Sequence, residues 1–290
     1  MTIKFFSDYD TPEGLLKRFK ANYAITDNRL HFTIAEDYDY AVVFNRTDDI
    51  IHPGAKVITI IQKPSWNKSH VPSDFLEGSD LIVVHDRKLF ETTYDIQLGG
   101  EVIESPTLMF YQDRVDRTFY HYATGTKKEK KLSIVISNLH RCEGIYDKRL
   151  QFMNQLLASD LDIDIYGKRL SIDDKRFKGP LDYKFMGLLP YEYSIAIENS
   201  REKNYISEKF VDCVLCNTVP IYYGAPNIAE IYDDRFFKEI DLDSPSVIDD
   251  IKQIITEPAP RSTVNKRIYF NKFNLYTKLK DVIFNEVLYR

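Results

Sequence analysis

Cysteine is scarce: Cys142, Cys213 and Cys216 are the only three in 290 residues. Three cannot build a disulfide framework. Cys213-x-x-Cys216 falls inside a predicted helix with no second pair of ligands, so these residues read as small buried side chains rather than a metal site. Long apolar runs are also missing. None approaches the roughly 18 residues that span a bilayer, and the opening MTIKFFSDYD lacks the basic-then-apolar layout of a signal peptide. The expectation is a cytoplasmic protein with no membrane span, a monomer or weak dimer. Internal repeats and low-complexity tracts are absent. Acid exceeds base, 44 residues against 39 for a net charge of −5, which argues against wholesale binding to a nucleic-acid backbone but leaves room for a local basic groove.

What is present fits a globular chain, 43% hydrophobic and 29% charged. Its length exceeds the size at which one core stops growing, so two domains of about 120 to 150 residues are expected. Short apolar strands recur through the first part, at 3–6, 40–44, 57–61, 81–84 and 107–111, with a helix over 12–22 on which Leu15, Leu16 and Phe19 share a face. Strands alternating with helices indicate a parallel, Rossmann-like sheet. The pattern breaks at ATGTKKEKK, residues 123–131, where a glycine and a charge run read as a solvated connector. It resumes with strands at 132–137 and 163–166 and a helix over 147–159. The division expected is a first domain over 1–125, a linker over 126–131, a second domain over 132–262, and a helical segment over 263–290.

The densest stretch runs from Tyr193 to Pro226, YSIAIENSREKNYISEKFVDCVLCNTVPIYYGAP. An apolar strand stops at Glu198-Asn199-Ser200, residues that favour turns, and Ser207 then precedes Glu208 and Lys209 at the start of an apolar-periodic helix. A helix N-terminus offers free N–H groups and a partial positive charge, and Lys209 adds a full one. Phosphate suits such a place.

ENS-x4-YISEK leading into NTVPIYYGAPNI resembles the signature of the glycosyltransferase family 10 α1,3/4-fucosyltransferases, in the form of a short viral or bacterial member. The likeness extends more weakly over residues 130 to 285. It implies a GT-B fold: an α/β chain of two Rossmann-like domains facing across a cleft, with a C-terminal helix crossing back. It also implies an inverting, metal-independent enzyme that takes GDP-fucose or a related nucleotide sugar as substrate and needs no cofactor. By this resemblance Glu208 holds the ribose, while Lys209 and Arg149 grip the diphosphate, where a planar guanidinium can meet two oxygens at once as charge grows on the departing nucleotide. Asn138, Tyr166, Glu198, Asn199 and Tyr205 complete the donor shell, with Glu198 also readable as a helix cap or a partner of Arg201. Gly167, after Tyr166, allows close approach of backbone. Asp162-x-Asp164 and Asp241-x-Asp243 have the letters of a metal pair in unsuitable surroundings, so no metal site is assigned.

The acceptor side departs from the family pattern. Inverting transfer needs a general base, and where the family carries a glutamate this chain has Gln62, followed by Lys63. Asp74, Glu77, His70 and Glu36 are the alternatives. Glu104-Ser105-Pro106 repeats the family's letters too late in the domain. Lys63, Trp66 and His70 lie in a loop whose aromatic and basic content suits an acceptor, a glycan or a flat anionic group. Two rival functions remain: a phage-type transfer of an arabinose-like pentose onto hydroxymethylated bases in DNA, and an inactive nucleotide-sugar-binding module.

Overall fold

The computed structural model describes residues 1–68, 76–108, 117–137 and 143–288. The described residues form two units, each built on a six-stranded sheet whose pairings are all parallel. Parallel strands carry helices on both faces, so they read as unbroken apolar runs. YAVVF and LIVV, buried at every position, show the pattern.

The first unit comprises residues 1–117, 202–205 and 270–290. Its elements are β1 (Thr2–Ser7), α1 (Pro12–Asn22), β2 (His31–Phe32), β3 (Tyr40–Phe44), β4 (Lys56–Ile60), β5 (Leu81–Val84), α2 (Arg87–Tyr94) and β6 (Glu101–Glu104). The strand order is β2-β1-β3-β4-β5-β6. The start of α1 is set by Thr11, whose hydroxyl accepts from the Gly14 N–H at 3.1 Å, and by Pro12 in the first turn. Its Phe19 is fully buried, 4.9 Å ring to ring from Phe5. Truncating such a side chain to alanine costs about 3–5 kcal/mol. The strand expected at 107–111 is not one at Thr107 and Leu108, and its remaining residues lie outside the described ones. The sixth place is taken by β6, which pairs Leu81 with Glu101 through Val84 with Glu104.

The second unit comprises residues 118–201 and 206–269. It holds β7 (Lys130–Val135), α4 (Tyr146–Ala158), β8 (Asp164–Tyr166), β9 (Phe177–Gly179), β10 (Tyr191–Ile197), α5 (Glu208–Leu215), β11 (Val219–Tyr223), α6 (Ile228–Ile231), β12 (Lys238–Glu239) and α7 (Val247–Thr256), with most of α3 (Arg117–Tyr122) and of α8 (Val264–Lys272). The order β12-β11-β10-β7-β8-β9 places β7 and β10 at the centre. Ile134, Phe152, Leu156, Ile165, Ile195, Ile221 and Ile251 join sheet and helices in one core. Residues 126–131, read from the sequence as a connector, fall inside this unit. Lys130 and Lys131 open β7, and the Lys128 ammonium donates to Leu189 O (2.7 Å), Cys216 O (2.8 Å) and Thr218 Oγ1 (3.0 Å). Charge density alone could not reveal that these carbonyls were waiting for a cation.

The last helix, α9 (Leu275–Leu288), returns to the first unit, as the family resemblance implies. The Tyr276 hydroxyl accepts from the Thr26 and Asp27 N–H groups at 3.1 and 2.9 Å, and its ring stands 6.2 Å from that of Phe19.

Candidate active site in the second unit

In a parallel sheet the ends of the strands gather at one edge, where ligands bind beyond the carboxyl termini. Here β7 runs out into Ile136 and Ser137, and β8 into Gly167 and Lys168. These residues line a cavity of about 280 Å³ together with Val135, Arg149, Leu181, Asp182, Lys184, Glu208 and Lys209. Gly167 is required there. A β-carbon at that position would lie 1.9 Å from Ile136 O, so only a bare backbone lets the two strand ends approach this closely.

Arg149 projects from α4 and is 3% exposed. One terminal N–H donates to Asn199 Oδ1 at 2.6 Å, and the guanidinium carbon lies 4.9 Å from the Tyr146 ring centroid. Its Nε has no hydrogen-bond partner among the described residues. Burial pulls its pKa below the ordinary arginine value, opposed by Tyr146 and by Glu198; a guanidinium still keeps its proton. Asn199 therefore aims the fork of a guanidinium that borders the cavity.

The turn into α5 is closed by Glu198, which is fully buried. Its carboxylate accepts from the Ser207 N–H at 2.7 Å and from the Ser207 hydroxyl, and Ser207 Oγ in turn accepts from the Lys209 N–H at 3.3 Å, capping the helix. Burial raises the Glu198 pKa, and Glu208 adds to this against the opposing pull of Lys209. Glu198 thus braces the capping residue Ser207. Arg201 lies instead over the Tyr223 ring at 5.4 Å. Gly224 makes room for the arrangement, since a β-carbon there would meet Glu198 Cγ at 2.5 Å.

Lys209 extends its ammonium to Ser207 Oγ and Glu208 Oε1, both at 3.1 Å, with Glu198 Oε2 at 3.7 Å. Glu208 is partly exposed on the cavity wall. Burial pushes its pKa up, but Lys209 and then Lys184 outweigh this and hold the carboxyl well below the usual range. Lys184 was not singled out in the sequence. Its ammonium donates to Asp212 Oδ2 at 2.7 Å and to Glu208 O at 3.3 Å. Burial lowers its pKa, and Asp212 with Glu208 more than reverses that.

The other expected residues are dispersed. The Tyr166 hydroxyl is 2.7 Å from that of Tyr191, and only the two residues after it reach the cavity. Tyr205 belongs to the first unit, 2% exposed, with its ring 5.2 Å from His85. Asn138, His70 and Asp74 lie outside the described residues. Gln62 is 5% exposed and engaged throughout: its N–H donates to Asn45 Oδ1 (2.8 Å), its amide nitrogen to Leu108 O (2.7 Å), and its amide oxygen accepts from the Tyr9 hydroxyl (3.0 Å). Lys63 and Trp66 are half-buried on the loop beyond it. Glu36 is exposed and paired with Lys4 at 2.8 Å, Glu77 is exposed, and Glu104 accepts from Lys203 at 2.9 Å and from the Arg87 N–H at 3.0 Å. Asp164 is occupied by Lys130 and the Tyr191 hydroxyl, and Asp243 by Lys148. No cluster of three metal-ligating side chains occurs among the described residues. Cys213 and Cys216 are both buried, and Cys142 lies outside the described residues.

One pair in the first unit had no signature in the sequence. His85, directly after β5, is fully buried, with Nε2 2.6 Å from Glu202 Oε2, an oxygen that also accepts from the Ser65 N–H at 3.1 Å. The two residues are 117 positions apart, and only tertiary structure joins them.

Residues 125–254 match the family described as Glycosyltransferase family 10 (fucosyltransferase) C-term. Residues 125–254 thus carry the C-terminal domain of glycosyltransferase family 10. An alpha-(1,3)-fucosyltransferase of Caenorhabditis elegans is 37% identical over 221 residues, covering 71% of this chain and 52% of the relative. An alpha-(1,3)-fucosyltransferase of Helicobacter pylori is 25% identical over 117 residues, 35% of this chain and 24% of the relative. The chain thus spans about half or less of these family 10 relatives. A crystal structure of an alpha1,3-fucosyltransferase superposes with a TM-score of 0.56 at 16% identity, covering 88% of this chain and 77% of that one. Another, with GDP-fucose, gives 0.53 at 17%, covering 94% and 81%. These likenesses show the fold, which is GT-B.

Proposed function

We propose that this protein is a fucosyltransferase-like glycosyltransferase that moves fucose, or a sugar of the same ring stereochemistry, from a guanosine diphosphate donor to an acceptor hydroxyl. One observation carries the reading: Arg149, Lys209 and Glu208 meet in a single cavity at the carboxyl edge of a parallel sheet and at a helix N-terminus. The two cations suit a diphosphate and the carboxylate suits paired ribose hydroxyls. The family 10 match over this unit, and the fold shared with an alpha1,3-fucosyltransferase crystallised with GDP-fucose, support the same donor.

In the reaction we infer, the acceptor oxygen attacks the anomeric carbon from the face opposite the diphosphate. The bond from that carbon to the phosphate oxygen breaks, and its electron pair leaves with the nucleotide. Configuration inverts. Arg149, its fork aimed by Asn199, and Lys209 at the head of α5 offset the charge that grows on the leaving group. With two fixed cations serving that end, transfer is expected to proceed in the presence of a chelator. The acceptor proton passes to a base other than Gln62, whose amide is no base and is held by two hydrogen bonds, to Leu108 O and from the Tyr9 hydroxyl.

The test is release of GDP from GDP-fucose with glycan acceptors and with hydroxymethylated DNA in parallel, with and without EDTA. We expect turnover on a glycan that EDTA does not abolish. Turnover on DNA alone would move the acceptor to a modified base, and GDP binding without turnover on any acceptor would favour an inactive binding module. Absence of GDP binding would refute the donor assignment itself.

A further inference from the structure

The donor cavity contains a second carboxylate that the mechanism does not use. Asp182 lines the cavity beside Leu181, is exposed, and makes no hydrogen bond or ion pair among the described residues. Its surroundings are cationic: Arg149, Lys168, Lys184 and Lys209 line the same space, and the cavity's other carboxylate, Glu208, is taken by Lys209. A free anion in a diphosphate site weakens the ligand's hold by repulsion unless it meets a donor group on that ligand.

Resting on the donor reading above, we propose that Asp182 reads the nucleobase and selects guanine. A carboxylate is an acceptor-only group with two oxygens, and it matches two adjacent N–H donors in a bidentate pair. Guanine presents N1–H and the N2 amino group side by side on one edge. Adenine offers an acceptor beside its amino group, uracil a single N–H between two carbonyls, and cytosine an amino group beside an acceptor. Val135, Ile136 and Leu181 supply apolar wall in the same cavity for a flat ring. Val135 Cγ2 and Leu181 Cδ1 converge above Gly187, where an added β-carbon would meet them at 3.0 and 2.7 Å. A bound base covers the carboxylate, so a base without the two donors displaces water from an acceptor and leaves it unmet.

Calorimetric titration with GDP, inosine diphosphate, xanthosine diphosphate and UDP tests this, on the wild type and on Asp182→Asn, Asp182→Ala and Lys209→Ala. The wild type should bind GDP about tenfold or more tightly than inosine diphosphate, which lacks the N2 amino group. Asp182→Asn should lose GDP affinity and bind xanthosine diphosphate more tightly than GDP, since the asparagine amide can donate to the carbonyl that replaces that amino group. Asp182→Ala should lose discrimination without gaining xanthosine diphosphate. As Asp182 is exposed and unbonded, the variants should melt with the wild type. If Asp182→Asn weakens every nucleotide equally, or leaves the ratio of GDP to xanthosine diphosphate unchanged while the wild type binds GDP, the base assignment is wrong and the donor reading stands. A wild type that binds no GDP overturns both. GDP binding untouched by Lys209→Ala, with the ratio still reversed by Asp182→Asn, removes the diphosphate assignment and keeps this one.

Discussion

Arg149→Ala should cut turnover sharply while leaving the fold intact, and the structure says by how much. The guanidinium is 3% exposed, bonded once to Asn199, and carries an N–H on Nε with no partner among the described residues. Losing one preorganised donor to a developing anion lowers kcat by about 10²–10³, or about 2.7–4 kcal/mol. Stability should change far less. Removing the side chain deletes a charged hydrogen bond that contributes about 1.5–3 kcal/mol, but it also deletes a buried donor that is unsatisfied at a cost of about 1–3 kcal/mol. A net change near 1 kcal/mol corresponds to a shift in Tm of about 2–4 °C for a chain of this class. Arg149→Lys keeps the charge and loses the planar fork, so it should fall between alanine and wild type. Initial rates of GDP release, read beside thermal melts, separate the two effects. An alanine variant within threefold of wild type, melting normally, would refute the role.

Further expectations follow from other sites. Gln62→Glu would set a carboxyl oxygen against Leu108 O, where the amide nitrogen now donates at 2.7 Å; it should destabilise the protein by about 1–3 kcal/mol without raising turnover, and a stable, more active variant in denaturation and rate assays would mean that a base has been restored. Gly167→Ala forces a β-carbon onto Ile136 O, so a loss of about 1–3 kcal/mol in urea titration and weaker GDP binding are expected, and a variant that binds normally would show the strand ends to be pliant. Lys266 is held down to about 8 by burial first and by nearby Lys128, with Cys216 opposing. A lysine whose folded pKa lies below its unfolded value binds more protons unfolded, so stability should climb as pH rises from about 8 toward 10.5. Lys266→Met should flatten that climb in urea midpoints across the window, and parallel profiles would refute it.

The central strands were legible because burial on both faces leaves nothing but apolar letters, as in Tyr40–Phe44 and Leu81–Val84. The strands missed were β2, β6, β9 and β12, each two to four residues long and partly exposed. EVIE and KE carry no such signal, because an edge position asks only for backbone hydrogen bonds. Of the site, Arg149, Glu208 and Lys209 were readable through local spacing and family likeness, and the structure brings them to one cavity. Lys184 and Asp182 were not, since neither sits in a recognisable motif and only the fold sets them beside β7. The His85 and Glu202 pair was beyond any local reading for the same reason.

The division of the chain bears on how it can be made. Residues 202–205 belong to the first unit while their neighbours on both sides belong to the second, and residues 270–290 return to the first. Neither unit is a continuous stretch of polypeptide. During synthesis the first sheet emerges early yet waits for Tyr276 to cap the Thr26 and Asp27 amides until the second unit has been made. The unit begun first is therefore completed only after the second, which sets it apart from the usual order in which N-terminal domains finish folding before their successors appear.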